Sequence, residues 1–255
     1  MKPTKINTIL AASPEGSPMT SEWLESKGVS PQLLQRYRHT GWLQALGRGC
    51  WIRSNTMPTL AGAIHTLQRD SLHVYPAART ALELQGRGHY VPIGRAPVLH
   101  LALPAGQRLP DWFRKLDFSR NVQTLNAGSL FEPVYTSLQE VKSEGVHIKI
   151  SSPERAMLEY CQLLPKRANF EEARQLMEGL PGLRPALMQN TLQHCKSVKA
   201  KRLFLALAQA VRHAWFKELN LAAIELGVSN RILPIEGVRH QQFYITVPHT
   251  WITDE

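Results

Sequence analysis

Between residues 30 and 48 the chain gathers side chains suited to reading a nucleic-acid duplex: Ser30, Gln32, Gln35, Arg36, Arg38, His39 and Arg48. A B-form major groove, about 12 Å wide, admits an α-helix; glutamine there matches the donor and acceptor of adenine, and arginine the two acceptors of guanine. Ser30 followed by Pro31 is a helix-start signature, because the serine oxygen accepts orphan amide protons and proline fits the first helical position. Ser30, Gln32, Gln35 and Arg36 then occupy the end that enters a groove, with Arg38 or His39 toward phosphate. Arg48 falls at the tip of a following hairpin, within Gly47-Arg48-Gly49.

A second basic group lies between Gly179 and Lys217: Arg184, Lys196, Lys199, Lys201, Arg202, Arg212 and Lys217, with no acid among them. Lys196, Lys199, Arg202 and Arg212 form a candidate second basic surface. A nucleic-acid contact and a solvated helix side both fit the pattern. Two further groups read as structural. Arg79-Thr80 with Gly86–Tyr90 looks like a helix end, a turn and a strand, since a dinucleotide fingerprint needs its glycines between a strand and the next helix. Arg155 and Glu159 stand four apart on one helix, a local pair worth ~0.3–0.5 kcal/mol.

Catalytic patterns are weak. There is no GxSxG, HExxH, P-loop lysine or Asp-x-Asp pair, so neither enzyme activity, a cofactor nor a metal is expected. Pro110-Asp111 followed by Glu140-Val141-Lys142 matches the loose pattern of metal-dependent nucleases. Such short strings recur by chance, and Leu138-Gln139 make a poor buried strand.

The elements that position the first group are short. Lys2–Ala12 reads as a helix with Ile6, Ile9 and Leu10 on one face, ended by SPEGSP. Thr20 or Ser21 caps a second helix to Lys27 that buries Trp23 and Leu24, and Gly28 turns the chain. The third helix follows from Pro31, with Leu33, Leu34 and Tyr37 inward, closed by Gly41. The segment WLQALGRGCWIR then reads as a hairpin. Two helices about a glycine turn, then a hairpin with arginine at its tip, make a winged helix-turn-helix over residues 1–57.

Residues 58–255 read as a larger domain. Its 58–150 part mixes helices (Thr59–Asp70, Arg79–Gln85) with strands through Tyr90 and Val91, at Pro97–Leu103 and at Val146–Ile150. Its 151–255 part opens with a serine cap before Pro153 and is mainly helical to about Leu226, with a last strand at 242–247. The helix from Val198 is expected to bury Leu203, Leu207, Val211 and Trp215, leaving Lys199, Arg202 and Arg212 at its sides. The class is therefore α+β, a winged helix-turn-helix followed by a mixed but helix-rich domain.

Composition narrows the setting. The 255 residues carry 30 Lys+Arg against 20 Asp+Glu, net +10, which favours an anionic partner. Residues 1–57 hold seven of the cations and three of the acids, the densest excess. The longest apolar run, Leu203–Ala208, is far below the ~18–20 residues of a membrane span. Ile9–Ala12 is too short for a signal-peptide core, and Cys50, Cys161 and Cys195 form no CxxC pair. A cytoplasmic protein is expected, without a membrane partner.

The GWLQALGRGCWIR wing, the RTALELQGRGHYVP segment and the ISSPERAMLEYCQLLP segment together resemble the AbiEi antitoxins of type IV toxin–antitoxin systems; residues 221–255 carry no such motif. The resemblance implies an autorepressor whose winged helix-turn-helix binds double-stranded DNA at inverted repeats in its own promoter. It also implies a C-terminal domain that counteracts a nucleotidyltransferase-like AbiEii toxin without a stable complex. Two other readings compete with it: a metal-dependent nuclease of a mobile element, and a regulator with an effector-binding C-terminal domain.

Overall fold

Hydroxyl caps and positive-φ glycines lay out the first elements. In the computed structural model, which describes residues 4–87, 98–119 and 121–252, α1 (Lys5–Ala12) turns Ile6 and Ile9 inward. β1 (Met19–Thr20) leads to α2 (Ser21–Ser26), where Thr20 Oγ1 accepts from Trp23 N at 3.3 Å. Gly28, at φ +75°, makes the turn. Ser30 Oγ accepts from Leu33 N at 3.2 Å and opens α3 (Pro31–His39). Gly41, also at +75°, releases the chain into β2 (Leu43–Gly47), and Gly49 at +71° turns it into β3 (Cys50–Arg53). The strands form an antiparallel sheet in the order β1-β3-β2. Ile6, Ile9, Met19, Leu24, Val29, Tyr37 and Leu43 pack into one core beneath it.

The middle of the chain runs α4 (Leu60–Arg69), β4 (Tyr75–Pro76), α5 (Ala78–Leu84), β5 (Leu99–Leu103), α6 (Asp111–Arg114), β6 (Val122–Asn126) and α7 (Ala127–Leu130). β5 is buried at every position and is the central strand of a sheet ordered β4-β5-β6, apolar except for His100. A hairpin of β7 (Leu138–Ser143) and β8 (Val146–Ser151) follows, β8 alternating inward and outward up to its buried end. The helical part comprises α8 (Pro153–Leu163), α9 (Phe170–Glu178), α10 (Pro185–His194) and α11 (Val198–Val211). Ser152 caps α8, accepting from Arg155 N at 3.4 Å. Three short 3₁₀ turns, β9 (Val238–Arg239) and β10 (Thr246–Val247) complete the chain.

The fold is α+β, in two compact units. The first comprises Met1–Tyr75, Gly106–Val122 and Glu140–Lys149; the second Pro76–Ala105, Gln123–Gln139 and Ile150–Glu255. In the first unit the winged elements pack with α4: Thr66 Oγ1 donates to the Pro18 carbonyl at 2.7 Å, and Arg53 donates to the Leu10 carbonyl near the end of α1 at 2.9 Å. The tip of the β7–β8 hairpin serves the same helix, Glu144 accepting from Ala61 N at 3.1 Å, a carboxylate at the positive end of α4. In the second unit α8 is buried along almost its whole length, surrounded by α5, α9, α10 and α11.

Three sequence expectations change. Trp23 is only half-buried, with the Arg69 guanidinium 4.4 Å from its ring centre. The strand expected over 242–247 shrinks to Thr246–Val247, because Tyr244 takes φ +50° and its N–H closes a turn on the His240 carbonyl. α11 stops at Val211, where Arg212 adopts the left-handed conformation at φ +61°. Trp215 is still buried, but from a separate 3₁₀ turn. Gly88, the strand expected through Tyr90 and Val91, and Pro97 lie outside the described residues.

Candidate nucleic-acid interface

α3 presents two chemically distinct sides. Tyr37 is buried and Leu33 and Leu34 half-buried toward the core, whereas Gln32, Gln35, Arg36, Arg38 and His39 are exposed. That split follows from the 3.6-residue period. Ser30 is exposed at the helix start with its oxygen engaged as the cap; its hydroxyl proton remains available to an acceptor such as a phosphate. Arg36, Arg38 and His39 fall in the last turn, where positive charge also stabilises the helix C-terminus.

The wing is short and braced. Its register shifts between Ala45 and Gly47, and Gly47 lies so close to the Trp112 backbone that an added Cβ would stand 3.2 Å from it. Any side chain there would require the Trp112 segment to shift by a few tenths of an ångström. Arg48 is exposed and lines a cleft of about 350 Å³ with Ser21, Asp70 and Arg108 among its other walls. Asp70 is already engaged: it accepts from Thr20 Oγ1 at 2.6 Å and pairs with Arg69 at 2.8 Å. Arg108, exposed beside the wing tip, adds a cation that sequence reasoning missed. It lies some sixty residues away in the chain, and only the folded segment carrying α6 brings it near.

The second basic group is divided between buried and exposed positions. Arg202 is 1% exposed and spends its guanidinium on the carbonyls of Leu226, Gly227, Ser229 and Tyr244, at 2.6–2.9 Å. Lys199 is half-buried and donates to the Gln162 and Leu164 carbonyls at 2.5 and 2.7 Å. Lys201 is buried as well. Lys196 is exposed but paired with Glu132, and Arg212 is exposed as the cap of α11. Two of these cations are internal struts: Arg202 gathers carbonyls from the irregular segment 226–244, and Lys199 those at the end of α8.

The Arg155–Glu159 pair is far more embedded than a surface i,i+4 pair. Their side chains are 0% and 2% exposed and meet at 2.7 Å. Arg155 also donates to the Val134 and Thr136 carbonyls and covers the Phe131 ring at 4.1 Å, while Glu159 accepts from Ala78 N and Ser151 Oγ. Arg79 is buried and pairs with Glu83 and Glu172, both at 2.6 Å. Tyr160 donates to the other oxygen of Glu172 at 2.7 Å, and burial with that bond raises the phenol far above its ordinary range.

The acids of the nuclease pattern have local partners. Asp111 pairs with Arg114 on its own helix and Glu140 with His147 across its own hairpin, all on exposed side chains. Among the described residues no three His, Cys, Asp or Glu side chains gather as a metal-ligand group. The three cysteines are free and buried, and burial pushes the thiols of Cys50 and Cys195 up to about 12 and about 11. No helix among the described residues is long and apolar enough to cross a membrane.

Comparison with known proteins finds two consecutive family matches. Residues 2–93 match the family model described as the N-terminal domain of the AbiEi antitoxin transcriptional regulators, and residues 96–248 the model described as transcriptional regulator, AbiEi antitoxin, type IV toxin–antitoxin system. The second match extends through most of the segment after residue 220, where the sequence carries no motif of its own. No curated protein matches the chain. Among solved structures, the crystal structure of the RV2827C protein from Mycobacterium tuberculosis shares the fold, with a TM-score of 0.59 at 16% identity over 94% of this chain and 88% of that one.

Proposed function

The chain belongs to the AbiEi family of antitoxin transcriptional regulators of type IV toxin–antitoxin systems, and from that membership we propose that it is a DNA-binding autorepressor and antitoxin. One observation carries the DNA-binding part: a helix with an apolar inner side exposes Gln32, Gln35, Arg36, Arg38 and His39 together, beside a hairpin tipped by Arg48. In this reading residues 1–57 are the DNA-binding module. Gln32, Gln35 and Arg36 meet base edges in the major groove, while Ser30, Arg38, His39 and Arg48 meet phosphates.

The operator is an inverted repeat in the protein's own promoter. The second part of the chain counteracts a nucleotidyltransferase-like toxin in the cytoplasm without catalysis and without a lasting complex. Arg36→Ala should weaken binding to the promoter duplex by ~1–3 kcal/mol and relax specificity at one base pair. In a gel-shift series over single-base operator variants, a loss uniform across all sequences would place Arg36 on a phosphate instead. Co-expression with the adjacent gene product tests the antitoxin part: growth should be rescued although the two proteins do not co-purify, and failure of rescue would remove this part.

A further inference from the structure

In the second unit a cavity of about 360 Å³ is walled by Arg79, His100, Gln123, Lys166, Arg167 and Glu172, among others. A volume of this order suits a small ligand. Two of its walls carry polar atoms without a hydrogen-bond partner among the described residues: His100 Nδ1 and Gln123 Oε1 are both buried and unpaired. His100 as a whole is 4% exposed, and its own backbone N–H is already satisfied by Thr80 Oγ1 at 2.8 Å. Unpaired buried polar atoms are rare in folded proteins because each forgoes the bond it would make to water.

The charges around these atoms are unbalanced. Arg79 is offset by Glu83 and Glu172, the latter also accepting from the Tyr160 hydroxyl, whereas Lys166 and Arg167 add two positive charges that no other carboxylate of the described cavity walls offsets. Lys166 and Arg167 are exposed at the mouth, and Arg167 is steadied by the Thr124 carbonyl at 2.9 Å. An anion fits this excess of positive charge. Gln123 Oε1 can only accept, so the occupant must also bring an N–H or O–H. Neutral His100, held down to about 4 by burial and by Arg79 and Arg167, offers one donor and one acceptor.

We propose that this cavity binds a small phosphate monoester bearing hydroxyl or amine donors, of the size of a sugar phosphate or a mononucleotide. The phosphate lies at the mouth against Lys166 and Arg167. The sugar or base reaches inward to Gln123 and His100. This site is separate from α3, which belongs to the other unit, and neither proposal depends on the other.

Isothermal titration calorimetry of the full chain with inorganic phosphate, ribose 5-phosphate and the 5′-mononucleotides tests it. At least one ester should bind saturably and more tightly than inorganic phosphate. Preference for nucleotides over ribose 5-phosphate would assign the inner contacts to the base, and equal binding would assign them to the sugar. Replacing both Lys166 and Arg167, exposed residues whose loss leaves the core intact, by alanine should weaken binding about tenfold or more, and His100→Leu should do likewise. The proposal is overturned by no saturable binding of any ester up to ~10 mM, by unchanged affinity in the Lys166/Arg167 double variant, or by inorganic phosphate binding as tightly as the esters.

Discussion

Arg155 and Glu159 show how far burial changes the worth of a residue pair. On an exposed helix the same spacing contributes a few tenths of a kcal/mol. Here both ends are desolvated and bound on several sides, so removing one partner strands a buried charge. Arg155→Ala should cost about 3–5 kcal/mol, read as a shift in the urea midpoint at constant slope; a cost below about 1 kcal/mol would show that water replaces the guanidinium. His100 makes a second residue-scale expectation. Its imidazole titrates near 4 in the folded chain against an ordinary 6.5, so between those values the unfolded chain binds the extra proton. The stabilisation is complete above pH 6.5 and is lost as pH falls toward 4, by about 3 kcal/mol in all. His100→Leu should remove that part of the slope; parallel pH curves for the two proteins would refute it. Neither effect was legible in the sequence, where Arg155 and Glu159 read as a local helix pair and nothing marked His100; only the fold buries them.

Gly62 tests the packing of elements. It sits inside α4, where alanine is normally preferred, yet a Cβ there would stand 2.4 Å from the Gly16 carbonyl oxygen and 3.0 Å from Ser17 Cα. Those are backbone atoms and cannot swing away, so Gly62→Ala should destabilise by ~1–3 kcal/mol despite its better helix propensity. A more stable variant by thermal melt would mean the loop before β1 yields freely. The elements of residues 1–57 were legible because their punctuation is local: Thr20 and Ser30 cap, Gly28, Gly41 and Gly49 turn. The misread elements have non-local or unsignalled ends. Arg212 and Tyr244 take positive φ where the sequence shows no glycine, and Arg202 looked lateral on α11 because its carbonyl partners lie 24–42 residues away.

At the scale of the molecule, the net charge of +10 resolves into unlike uses. Arg202, Lys199, Arg155 and Arg79 are tied to carbonyls and carboxylates within the second unit. Arg36, Arg38 and Arg48 are exposed on the winged elements of the first. Affinity for nucleic acid should therefore depend on the second set and be indifferent to Lys196→Ala. The most direct test is the dissociation constant for the protein's own promoter duplex against an unrelated duplex of equal length, measured across a salt series. The promoter should be preferred by about 10³-fold or more, with both affinities falling as salt rises. Equal affinity for the two duplexes at every salt concentration would contradict the assignment of α3 as a sequence-reading helix.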